Sequence, residues 1–134
     1  MIVADTNLLV YLFVPGPHTS AAVKCLERDS EWLAPPVYAY EVLNVMSTHV
    51  RTGRVDFRKA MEVLDQISRT VQVRPDPDRE EVLKASVSAA VGSYDCEFIV
   101  LAKSLGTRVV TADTKMLRVF GGVAVSIDDF AVGK

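Results

Sequence analysis

Residues 2–10 read Ile2-Val3-Ala4-Asp5-Thr6-Asn7-Leu8-Leu9-Val10: three apolar residues with strand character, an acid directly behind them, and then an apolar helix. Asp, Thr and Asn all cap helices well, so the junction reads first as a strand handing over to a helix N-terminus. The same alternation continues along the chain. Trp32-Leu33-Ala34, Val71-Gln72-Val73, Arg108-Val109-Val110-Thr111 and Val123-Ala124-Val125 are short runs of strand composition. Helical patterns lie between them. Residues 19–29 carry Ala22, Val23, Cys25 and Leu26 on one side, and 37–50 follow Pro36 as a long, mostly apolar helix. A further helix over 57–68 stands behind a capping Asp56, one that opens after Pro75-Asp76-Pro77-Asp78 ends near Gly92, and one over 93–105 stops at Gly106. Strands alternating with helices pair in parallel through right-handed crossovers. The expectation is a single α/β domain over residues 1–134, a three-layer sandwich whose central parallel sheet of four to five short strands is flanked by helices. In such sheets ligands bind beyond the carboxyl ends of the strands.

Composition narrows the function classes. A chain of 134 residues, 49% hydrophobic and 24% charged, buries enough surface for one core and is too apolar for disorder. The longest apolar run, Leu8 to Val14, is far short of a membrane span, and the N-terminus has no basic lead of a signal peptide. Cys25 and Cys96 belong to no C-x-x-C pair; they read as small core residues in a chain of the reducing cytoplasm. With 15 Lys+Arg against 17 Asp+Glu, the chain is not the basic domain expected of a passive nucleic-acid binder. Phosphate-loop, dinucleotide and serine-hydrolase signatures are absent, and His18 and His49 have no partners that suggest a triad.

The chemistry-bearing residues are acids. Asp5 follows the first strand and Asp113 follows the fourth, in Thr111-Ala112-Asp113-Thr114, so two carboxylates share one edge of the sheet. Glu41 stands among Val37, Tyr38, Val42 and Val45, where burying an unpartnered charge is costly. Asp95 falls in the first turn of its helix, a position that the helix dipole favours for an acid; Glu97, on a neighbouring direction, is expected to face solvent. Carboxylates gathered at about 5 Å repel by about 3 kcal/mol per pair at an effective dielectric near 20, so a cation is the natural complement. Oxygen-only donors favour Mg²⁺ or Mn²⁺ over zinc. Setting four of the 17 acids aside leaves 13 against 15 bases, a body compatible with an anionic substrate. Arg51, Arg54 and Arg58, in a basic cluster with Lys59, read either as a solvated face or as RNA phosphate contacts.

Together, Asp5-Thr6-Asn7-Leu8-Leu9, Glu41 in a Pro-led helix, Arg51-Thr52-Gly53-Arg54, Tyr94-Asp95-Cys96, Leu101-Ala102 and Thr111-Ala112-Asp113 resemble a PIN domain over essentially the whole chain. More narrowly, they resemble a VapC-type toxin of bacterial toxin–antitoxin modules. The resemblance implies a metal-dependent endoribonuclease, a homodimer and a cognate antitoxin. It carries the family acids onto Asp5, Glu41, Asp95 and Asp113, with Asn7 or Thr111 as polar support. Many relatives have a further acid about three residues beyond Asp113, where this chain has Met116; that departure bears on a second metal. Two other readings compete: a catalytically weak PIN-like module that binds a protein partner, and a receiver-like phospho-acceptor domain. The receiver needs adjacent acids after the first strand, whereas Asp5 is flanked by Ala4 and Thr6. The run Leu8 to Phe13 carries more apolar surface than one helix face is expected to bury in a monomer, and points to a dimer or antitoxin groove.

Overall fold

A computed structural model describes residues 1–134. Five three-residue strands form one sheet: β1 (Ile2–Ala4), β2 (Trp32–Ala34), β3 (Val71–Val73), β4 (Val109–Thr111) and β5 (Ala124–Ser126). All neighbours are parallel, in the order β3-β2-β1-β4-β5. Every residue of β1, β2 and β4 is buried, while β3 and β5, at the edges, expose part of theirs. Apolar runs without alternation are what strands covered on both faces require.

The helices are α1 (Thr6–Phe13), α2 (Thr19–Arg28), α3 (Tyr38–Arg51), α4 (Phe57–Thr70), α5 (Arg79–Ala89), α6 (Ser93–Leu105), α7 (Thr114–Val119) and α8 (Ile127–Ala131). The crossovers from β1 to β2 to β3 run one way along the sheet and that from β3 to β4 runs back. Right-handed connections therefore place α5 and α6 on the opposite face from the earlier helices. The packing agrees: α1 meets α2, α3 and α4, whereas α6 pairs with α5 and lies on β1 and β4. Phe98 of α6 and Trp32 of β2 are fully buried in the layers between. The strand order also differs from the 2-1-3-4-5 order of receiver-like sheets.

Boundaries follow local chemistry. Asp56 Oδ1 accepts from the Lys59 amide and opens α4, as its position suggests. Gly106, at φ 67°, closes α6 in the left-handed conformation that glycine adopts freely. The helix expected to end near Gly92 stops earlier, because Ala90 takes the left-handed position (φ 54°) and turns the chain. The short helix α8 has no counterpart in the sequence reading, whereas α7 follows the capping position of Asp113. Cys25 and Cys96 are free and buried, as read.

One expectation changes. Leu8, Leu9 and Val10 are buried within the chain's own core, and Tyr11, Leu12 and Phe13 pack half-buried against it. The run is thus largely absorbed by α1's contacts with three helices and the sheet, and no exposed stripe is left along it. The larger exposed apolar side chains lie elsewhere, among them Leu43, Phe57 and Met61 on α3 and α4 and Leu83 and Val87 on α5.

Candidate active site

The strand order reverses at β1, which connects outward to β2 while β4 lies on its other side. The carboxyl ends of β1 and β4 therefore open a crevice between diverging connections, and the two acids that follow these strands fall at its floor. Asp5 both caps α1 and faces the crevice: Oδ1 accepts from the Thr6 amide at 2.8 Å, while Oδ2 accepts from Thr111 Oγ1 at 2.6 Å and Asn7 Nδ2 at 3.2 Å. The capping and functional readings of this residue are compatible, because each uses a different oxygen. Asn7 ties the two strand ends together, with Nδ2 donating to Thr111 Oγ1 and Oδ1 accepting from the Ala112 amide. Thr111 Oγ1 also accepts from the Asp113 amide, and Asp113 Oδ1 caps α7 at the Met116 amide. Asn7 and Thr111 thus hold the Asp5 carboxylate and the backbone around Asp113 by hydrogen bonds.

Glu41 enters from the first turn of α3 and Asp95 from the first turn of α6, so the two faces of the sheet each contribute an acid. All four acids line one cleft of about 1250 Å³. Sequence reasoning missed the hydroxyl that holds Glu41: Thr6 Oγ1 donates to Glu41 Oε1 at 2.9 Å, joining α1 to α3. It also misplaced Glu97, which is half-buried and lines the cleft together with Asp76.

The electrostatics are those of acids confined together with no ion-pair partner. Burial pushes Asp5 up to about 6, against the pull of its Thr111 and Thr6 hydrogen bonds, with Asp95 and Asp113 pushing further. Burial likewise raises Glu41 to about 7, opposed by Thr6 and assisted by Asp5, Asp95 and Glu97. Asp95 is raised by burial and by Asp113, and lowered by Lys115, whose Nζ donates to the Ala90 carbonyl. Glu97 is raised by burial and Asp76. No Lys or Arg forms an ion pair with Asp5, Glu41, Asp95 or Asp113.

Hard oxygen donors that line one cleft and are in no ion pair suit a divalent ion such as Mg²⁺ or Mn²⁺. No three of them are grouped closely enough to hold an ion between them as they stand. Met116 is fully buried among core residues and is not among the residues that line the cleft. Of the three arginines, Arg54 lines the cleft. Arg51 folds back on Ser47 and Thr48 of its own helix, and Arg51 and Arg58 are both exposed outside the cleft wall.

A family model described as PIN domain matches residues 2–121. Ribonuclease VapC3 of Pyrobaculum aerophilum is 25% identical over 123 residues, spanning 89% of this chain and 94% of that one. Exonuclease VapC9 of the same organism is 33% identical over 78 residues, 58% of this chain and 59% of that one. Among solved structures, a crystal structure of a Pyrobaculum aerophilum protein superposes with a TM-score of 0.80 at 24% identity, covering 98% of this chain and 86% of that one. A toxin–antitoxin complex from Klebsiella pneumoniae superposes at 0.70 with 16% identity, over 95% and 98%.

Proposed function

Because this chain belongs to the PIN domain family and is homologous to VapC ribonucleases, we propose that it is a Mg²⁺- or Mn²⁺-dependent endoribonuclease, the toxin of a toxin–antitoxin module. The observation that carries the reading is that Asp5, Glu41, Asp95 and Asp113, from four separate stretches of the chain, line one cleft with none of them in an ion pair. The protein-binding alternative gives no reason to hold Asp5 and Glu41 at the cost their raised pKa values record.

Asp5, Glu41 and Asp95 would be the principal residues to hold the metal, with the half-buried Asp113 as a further oxygen donor. When bound, a divalent ion supplies Lewis acidity that brings water towards deprotonation near neutral pH and steadies charge developing on a phosphodiester. The chain's own part is positioning. Thr111, Asn7 and the Thr6 amide fix the Asp5 carboxylate, Thr6 Oγ1 fixes Glu41, and the α7 cap fixes Asp113. Arg54 offers a phosphate contact on the wall of the same cleft. A cognate antitoxin and a second copy of the chain are the proposed partners, supported by the likeness to a toxin–antitoxin complex and by the exposed apolar side chains of α3, α4 and α5. The reducing cytoplasm is the proposed setting, in keeping with two free, buried thiols.

A circular single-stranded RNA provides the test, since only internal cleavage can open it. The reading expects linearisation that requires Mn²⁺ or Mg²⁺, stops in chelator, and is lost in Glu41→Gln. Full activity in chelator sinks the metal-dependent reading. Degradation confined to linear RNA returns the activity to the exonuclease class named for one relative.

A further inference from the structure

Two of the cleft acids are each preceded by a tyrosine: Tyr40-Glu41 on α3 and Tyr94-Asp95 on α6. Both rings line the cleft, yet Tyr40 is 76% and Tyr94 64% exposed, so neither serves the core. From this acid end α3 runs along the cleft wall, presenting Glu41, Asn44, Val45 and His49 at helical spacing. Glu41 and His49 are eight residues apart, about 12 Å along the axis. Beyond His49 the chain turns at Gly53 (φ 75°) and folds back, and the Arg54 amide donates to the His49 carbonyl at 2.9 Å. Arg54 therefore stands beside His49 on the same wall. Its charge and partial burial both hold the imidazole below its ordinary pKa.

Resting on the ribonuclease reading above, we infer that the cleft takes RNA as an extended single strand laid along α3, with bases stacked on Tyr40 and Tyr94 at the acid end and a phosphate further along the strand held by His49 and Arg54. Exposed rings offer a stacking face to any base that is unpaired, and a paired base has both faces already covered. A strand brought to the acid end by its scissile phosphate must carry its neighbouring phosphates along the wall. His49 and Arg54 supply donors there, at a distance from the acids that would otherwise repel them. α3 thereby acts as a ruler between chemistry and anchorage.

The test uses the full chain and unstructured oligoribonucleotides of mixed sequence, shortened one nucleotide at a time from either end. Binding is read by fluorescence anisotropy in an Asp5→Asn background to prevent turnover, and cleavage is read in the otherwise unmodified protein with Mn²⁺. Tyr40→Ala and Tyr94→Ala are each expected to weaken single-strand binding on the order of tenfold, Tyr40→Phe to retain it, and duplex RNA of the same sequence to bind weakly throughout. Shortening from one end should bring an abrupt loss on the order of tenfold, and His49→Ala or Arg54→Ala should weaken long strands by a similar factor while leaving the shortened ones unchanged. These side chains are exposed or half-buried, and unaltered melting temperatures of the variants verify the fold.

An equal effect of His49→Ala and Arg54→Ala on long and short strands overturns the ruler, and intact binding in both tyrosine variants overturns the stacking. If duplex binds as tightly as single strand, the substrate class is wrong. Unchanged RNA binding with loss of a co-expressed antitoxin from these variants assigns the wall to that partner and overturns the inference. Length-dependent binding without cleavage by the unmodified chain leaves the inference standing and removes the ribonuclease reading; cleavage without length dependence does the reverse.

Discussion

Asp5→Asn, in chelator, isolates the cost of a charge held under the sheet edge. Asp5 is 4% exposed and its carboxyl titrates near 6 instead of 3.8. Below 3.8 the carboxyl keeps its proton whether the chain is folded or not, and its contribution to stability is whole. Between 3.8 and about 6 the unfolded chain releases the proton while the folded chain retains it, so stability falls as pH rises through this window and stays low above it. At about 1.4 kcal/mol per pH unit the loss comes to about 3 kcal/mol. Asparagine carries no such charge. It keeps an oxygen for the Thr6 amide, but its Nδ2 meets Asn7 Nδ2 donor to donor and faces a Thr111 oxygen that already accepts from Asn7 and the Asp113 amide, at a cost of about 1 kcal/mol. The variant should therefore be about 1 kcal/mol less stable than the unmodified protein at pH 4 and about 2 kcal/mol more stable at pH 8. In a domain of this size that gain is a rise in melting temperature of roughly 8 °C. His49, whose depressed pKa acts in the opposite sense over part of this range, is common to both proteins and drops out of the difference. Thermal melts at pH 4, 6 and 8 in chelator measure it, and excess Mn²⁺ at pH 8 should stabilise the unmodified protein far more than the variant. A difference between the two proteins that does not change with pH refutes the argument.

Thr6→Val removes the hydroxyl that holds Glu41 and should weaken Mn²⁺ binding about tenfold by calorimetric titration, with Thr6→Ser restoring it. Mn²⁺ affinity of the unmodified protein should climb from pH 5 to pH 8, because protons compete for Asp5 and Glu41 up to about 6 and 7; a flat profile would remove these two as ligands. Met116→Asp should create no second ion site and instead destabilise by about 3 kcal/mol or more, since the new carboxylate would lie in the core; calorimetry and denaturant melts distinguish the outcomes. Ala90→Gly should stabilise by about 1 kcal/mol in denaturant melts by relieving the left-handed turn behind α5.

The inner strands β1, β2 and β4 were legible because each is a short, mostly apolar run, the pattern a sheet covered on both faces requires. The helix caps were legible for a related reason: Asp5, Asp56 and Asp113 act on amides within three residues of themselves. What escaped were relations across the chain. Thr6 reaches Glu41 over 35 positions, and no local signal marks that pairing. Glu97 was assigned to solvent by its direction on α6, but the connection after β3 brings Asp76 to the cleft and closes space around it. Met116 was judged by its distance from Asp113 along the sequence, whereas the α7 turn carries its side chain into the interior. Leu8 to Phe13 looked too apolar for a monomer because the sequence does not reveal that α1 meets three helices at once.

The pairing of β1 with β4 joins residues about a hundred positions apart, and Asp5 and Asp113 are neighbours only through it. A ribosome adding roughly 5–20 residues per second needs on the order of ten seconds to pass from the first acid to the last. Throughout that interval the growing chain carries its N-terminal strand and α1 with no fourth strand to register against, and Asp5 lacks the Thr111 hydroxyl that orients it. On the proposed ribonuclease reading, the nascent polypeptide lacks the assembled acids until its fourth strand is made. A chain that stops before residue 113 lacks both Thr111 and Asp113 or Asp113 alone, and a folding partner that captures the β1–α1 segment early would keep the finished chain from bringing Asp5 and Asp113 together.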